Sequence, residues 1–181
     1  MNIFLIILLI IGGLIALLLI IALFAPKKYR VERSIVINAP APAIFEYTRF
    51  LKNQDNFSKW VMLDPAMQKT FTGTDGAPGF IYAWDGNKKA GKGEQEIKSV
   101  RNGQGIDIEI RFIKPFSGIA QGKIDISSIA PQQSKVNWSF DSSMAYPMNA
   151  MLLFLSMEKM IGKDLEITLS NLKSKLESGA A

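Results

Sequence analysis

The 181-residue chain contains no cysteine and no histidine. Without a thiol there is no disulfide framework, no cysteine nucleophile and no zinc–thiolate centre. Without an imidazole there is no Ser-His-Asp triad, no histidine base and no His-ligated metal. Phosphate and calcium signatures are missing as well. "GKGEQE" lacks the third glycine and the helix of a dinucleotide loop, and "GTDGAPG" lacks the Lys-Ser/Thr of a phosphate loop. No EF-hand spacing occurs, so neither a metal nor a cofactor is expected. The net charge is +5, but no basic stripe is interleaved with stacking aromatics, and no nucleic-acid partner is expected.

Charge is also absent from the first 26 residues, where "FLIILLIIGGLIALLLIIALFAPKKYR" spans positions 4 to 30. As a helix, Ile3 to Phe24 would measure about 33 Å, enough for a hydrocarbon core of about 30 Å. A buried helix of a globular protein is usually shorter and keeps a polar face. A cleaved signal would carry a basic start, a shorter apolar stretch and small residues before the cut. Only Asn2 precedes this run, and Leu23 stands where a small residue would be needed. The expectation is an uncleaved single-pass anchor over residues 1–26, with the membrane as partner of residues 3–24, and one folded domain over residues 27–181. Lys27, Lys28, Arg30 and Arg33 follow the span, and that bias orients the domain to the cytoplasmic side of a bacterial inner membrane.

Beyond the anchor, "YRVERSIVINAP" alternates as a strand, and "AIFEYTRFLKN" has helical spacing after two prolines. About six strands follow. The clearest hairpin is "AGKGEQEIKSVRNGQGIDIEIRF", where Asn102-Gly103 suits a type I′ turn. Its second arm puts Ile106, Ile108, Ile110 and Phe112 on one face, leaving Asp107 and Glu109 to solvent. Gln95 and Ile97 likewise alternate with outward Glu94 and Glu96. A single long helix is predicted from Met148 to Glu177, opened by Pro147, with Leu165, Leu169, Leu172 and Leu176 as its stripe. An antiparallel sheet covered by one such helix is an α+β architecture with space between the layers.

"VERSIVINAPAPAIFEY", "GFIYAWDGN", "GKGEQEI" and "MEKMIGKDLEITLSNLK" together resemble the START-like (SRPBCC) superfamily, in particular its polyketide cyclase/dehydrase-type branch. The resemblance runs from Tyr29 to Glu177 and rests on apolar and glycine positions, not on a catalytic fingerprint. It implies a helix-grip fold with a hydrophobic cavity between sheet and C-terminal helix. Family members bind lipids, sterols or polyketides, and some catalyse cyclisation or dehydration. Others act as chaperone cofactors or have no assigned ligand.

Candidate cavity residues follow from strand parity and from this resemblance. Tyr82, Trp84, Phe112, Trp138 and Phe140 share the inward parity and either fill the core or frame a pocket. The methionine-rich stretch reads as a plain core helix from composition alone. The resemblance turns Met148, Met151 and Leu155 into a flexible ligand wall facing those aromatics. Gly162, inside the last helix, suits a close approach of helix to sheet. Arg33 has inward parity, but its place beside the anchor favours contact with lipid phosphate. The reading is a membrane-anchored binding domain for a lipid or another hydrophobic small molecule. Its rivals are a cofactor-free cyclase or dehydratase using Tyr82 or an inward carboxylate, and a tethered interaction module with a filled core.

Overall fold

The structure is a computed structural model that describes residues 2–179. The apolar opening run forms helix α1 (Ile3–Phe24), and the Asn2 side chain accepts from the Phe4 N–H at its start. Among the described residues it is the one helix long and apolar enough to cross a membrane. Most of its side chains are exposed; Ala22 is buried, and Ile15, Leu18 and Leu19 face Met148, Met151 and Phe154. Pro26 closes it, because proline has no N–H to continue the ladder.

Strand β1 (Lys28–Ile37) leads into helix α2 (Ala41–Thr48), a 3-10 turn (Leu51–Asn56) and the single-turn helix α3 (Lys59–Met62). Six strands follow: β2 (Gln68–Thr72), β3 (Ile81–Asp85), β4 (Lys92–Arg101), β5 (Gly105–Lys114), β6 (Gly118–Ala130) and β7 (Gln133–Ser143). A second 3-10 segment (Met148–Leu153) precedes helix α4 (Met157–Glu177). The sheet is antiparallel throughout, in the order β1-β7-β6-β5-β4-β3-β2. Helix α4 packs against β1 and α3 on one face of the sheet. This is the α+β helix-grip architecture.

The period-2 pattern explains which face is covered. Ile97, Ile106, Ile108, Ile124 and Val136 are buried beneath Leu165, Leu169 and Leu172 of α4. The opposite face carries ion pairs. Arg111 meets Glu94 at 2.6 Å, Glu96 at 2.8 Å and Glu109 at 2.5 Å across β4 and β5.

Three expectations are corrected. The β4–β5 hairpin turns where Asn102-Gly103 marks it, but a type I′ turn needs positive φ at both central residues. Only glycines take positive φ here, Gly103 at 72° among them, so the connection is a three-residue loop from Asn102 to Gln104. The final helix begins at Met157 rather than Met148. Ser156 accepts from the Lys159 N–H as its cap, and the preceding apolar stretch is held against α1. Arg33 turns inward rather than to lipid. It bonds Glu158 and Glu166 of α4, both at 2.5 Å, and a Cβ at Gly162 would collide with its guanidinium. Gly162 therefore exists in mid-helix because an arginine lies beneath it.

Candidate ligand cavity

Strand register defines two ends of the sheet. Lys28, Ser143, Gly118, Lys114, Lys92 and Asp85 share the end at which α1 joins. A cavity of about 320 Å³ opens between the sheet and the covering helices towards that end. Its sheet wall is a chain of aromatic rings. Tyr29 stacks on Phe140 at 6.3 Å, Phe140 lies 6.5 Å from Phe112, and Phe112 meets Trp84 edge-on at 6.3 Å. Trp84 is held by its indole N–H, which donates to the Ala90 carbonyl at 3.2 Å. It lies over Gly93, where any Cβ would strike the indole ring. Trp138 completes this wall from β7, and Trp60, Val61, Met157 and Ile161 form the facing wall. All three tryptophans of the chain thus line one cavity.

Its inner end is polar. Gln54, Ser58 and Gln95 line the cavity, each less than a tenth exposed. The Gln95 amide donates to Gln54 Oε1 at 3.0 Å, while Gln54 Nε2 is buried without an acceptor. An unsatisfied buried amide costs about 1–3 kcal/mol, so that N–H is an unused donor. Tyr82 also lines the cavity, but its hydroxyl donates to Asp55 Oδ1 at 2.6 Å, and Asp55 pairs with Lys69 at 2.8 Å. Burial pushes the Tyr82 phenol well above its usual range, and the Asp55 hydrogen bond and charge push it further. It therefore stays protonated, with its proton committed to Asp55.

Of the residues predicted from sequence, the structure gathers Tyr82, Trp84, Phe112, Trp138 and Phe140 around this one cavity. It does not bring Met148, Met151 or Leu155 there. Met148 and Met151 line a groove with Ile15, Leu18 and Leu19 of α1, and Leu155 borders the chain from Pro26 to Val31. The reason is the late start of α4, which leaves these residues on the α1 side of Ser156. The helical wall is supplied instead by Met157 and Ile161. Strand parity already turned Gln95 inward. Nothing in the sequence marked Gln54 or Trp60, because their place depends on how the short helices fold over the sheet.

No protein-family profile and no curated protein matches the chain. Solved structures do share its fold. The Zhui aromatase/cyclase from Streptomyces sp. R1128 superposes with a TM-score of 0.63 at 11% identity, over 85% of this chain and 96% of that one. A norcoclaurine synthase from Thalictrum flavum gives 0.62 at 10% identity, over 85% and 97%. The Aha1 protein from Colwellia psychrerythraea gives 0.58 at 12% identity, over 84% and 99%. At such identities the likeness is one of fold, the helix-grip architecture described above.

Proposed function

We propose that this protein is a membrane-anchored binding protein for a hydrophobic small molecule or lipid carrying a hydrogen-bond acceptor at one end. The observation behind the reading is the aromatic cavity of about 320 Å³ with a buried, unpaired Gln54 amide at its inner end. Cavities of this size suit a small apolar ligand, with burial supplying the affinity and a few polar groups its orientation. A carbonyl, hydroxyl or carboxylate oxygen would relieve the cost of the orphaned N–H. The fold neighbours include enzymes, by their names an aromatase/cyclase and a norcoclaurine synthase. Against a cyclase or dehydratase role, no carboxylate lines the cavity among the described residues, and Tyr82 has its proton engaged. The apolar α1 is read as the anchor, and the lysines after it favour a cytoplasmic domain by the positive-inside bias.

Trp60, Trp84 and Trp138 make the test intrinsic. Titrating detergent-purified full-length protein with fatty acids, sterols and isoprenoid alcohols should change tryptophan emission and raise the thermal midpoint by mass action. Gln54→Leu should weaken an oxygen-bearing ligand about tenfold, the weight of one hydrogen bond, and leave a pure hydrocarbon unaffected. If no ligand of these classes moves either signal, and native mass spectrometry finds no co-purified molecule, the binding reading is wrong.

A further inference from the structure

The segment from Ser142 to Met157 carries no charged residue, and its middle is exposed where a soluble protein would cover it. Phe154 is 76% exposed, Leu153 50% and Met148 44%. This surface is continuous with α1. Met148, Met151 and Phe154 share an apolar groove of about 270 Å³ with Ile15, Leu18 and Leu19. Ile15 lies nine residues before Phe24 and Leu19 five, so the groove sits about 7–13 Å up the helix from its domain end. Half of a hydrocarbon core is about 15 Å.

We infer that Pro147–Leu155 is a second membrane-embedded element, seated in the leaflet that α1 crosses last and holding the cavity rim against the bilayer. This rests on the anchor reading of α1 given above. Backbone polar groups at that depth must be satisfied within the protein, and here several are. Ala150 N–H bonds the Pro147 carbonyl, and Phe154 and Leu155 N–H both bond that of Met151. The Ala22 carbonyl of α1 would ordinarily accept from residue 26, which is proline and has no N–H. The Asn149 amide, fully buried, donates to it at 2.7 Å and to the Ala25 carbonyl at 3.1 Å. The one polar side chain of the element thus caps the anchor helix.

Charge and register agree with this placement. Exposed Lys27, Lys28, Lys88, Lys89 and Lys114 belong to the anchor end of the sheet, where anionic headgroups would meet them. Phe116, 69% exposed, lies in the β5–β6 loop at the same end. The cavity rim residues Tyr29 and Met157 directly follow Lys28 and Ser156. A ligand would then pass between leaflet and cavity without crossing water.

The absence of native cysteine allows a site-specific test on the full-length chain. Single variants Phe154→Cys, Leu9→Cys and Asn102→Cys would carry a polarity-sensitive fluorophore in phosphatidylcholine–phosphatidylglycerol vesicles. Nitroxide-bearing acyl chains and aqueous iodide would serve as quenchers. The expected result is a Phe154 label quenched by lipid nitroxide and shielded from iodide, like Leu9 and unlike Asn102. A Phe154 label open to iodide while Leu9 stays embedded overturns the inference and spares the anchor. Protection of Phe154 from both quenchers means that a second copy covers the face, and also overturns it. Iodide quenching at Leu9 itself removes the anchor reading and the inference together.

Discussion

At the residue scale, Arg33 and Gly162 show how one side chain decides the identity of another residue. Glycine in a helix interior costs about 1 kcal/mol relative to alanine, yet Gly162 is where Arg33 reaches up to Glu158 and Glu166. Gly162→Ala should therefore cost up to about 1 kcal/mol, because the guanidinium can shift only at the expense of its two part-exposed ion pairs. In an Arg33→Ala background the same change should become neutral or stabilising, because the obstacle is gone and helix propensity remains. Chemical denaturation of the four proteins of this cycle checks it, and equal costs in both backgrounds would break the link. The inward parity of Arg33 was legible from the alternation of β1, whereas its acidic partners were not. They come from a helix more than a hundred residues away.

At the element scale, the decisive feature is the division of the C-terminal apolar stretch. The apolar run from Met148 and the leucine stripe to Glu177 read as one helix, and the local sign of the break is Ser156, the N-cap of α4. A tertiary contact holds the stretch before it: Asn149 donates to the Ala22 carbonyl, which Pro26 leaves open, and to that of Ala25. Removing that amide with Asn149→Leu should lower the thermal midpoint of the full-length protein in detergent, by the roughly 1–3 kcal/mol of an unsatisfied buried group. Pro26→Ala returns an N–H to residue 26, so the Asn149→Leu loss should shrink in that background. If it does not, the amide's role is not the capping of α1.

At the scale of the whole molecule, the polar outer face and the anchor each set a measurable property. The hydrogen bonds from Arg111 hold Glu96 and Glu109 below the ordinary glutamate value of 4.5, and Arg111 itself is held up chiefly by Glu94. A carboxylate with a lowered folded-state pKa contributes stability above its unfolded value, and loses it as pH falls through the folded one. The wild-type thermal midpoint should therefore decline below about pH 4.5. In Arg111→Met, Glu96 and Glu109 lose their largest stabilising hydrogen bond and keep Lys98 as the nearby cation, so their pKa values move back up. The midpoint should then decline less steeply below about pH 4.5 than in the wild type, because less stability is tied to these carboxylates being ionised. The proposed cytoplasmic orientation has its own check. Protease added to intact spheroplasts should leave the domain whole, and cleavage would place it outside.

The sequence by itself determined the elements whose signal is local. An uninterrupted apolar run of helical length produced α1, period-2 alternation with glycine turns produced the strands, and the leucine stripe produced the second half of α4. Inward parity also singled out the five aromatic residues that the cavity shares, since a strand's alternation survives whatever packs above it. The tertiary structure decided the rest. It determined which stretch became the helical wall, where the short helices delivered Gln54 and Trp60, and why Met148 and Met151 turned to α1. Those outcomes depend on contacts between residues far apart in the chain, such as Asn149 with Ala22 and Arg33 with Glu166, and no local period encodes them.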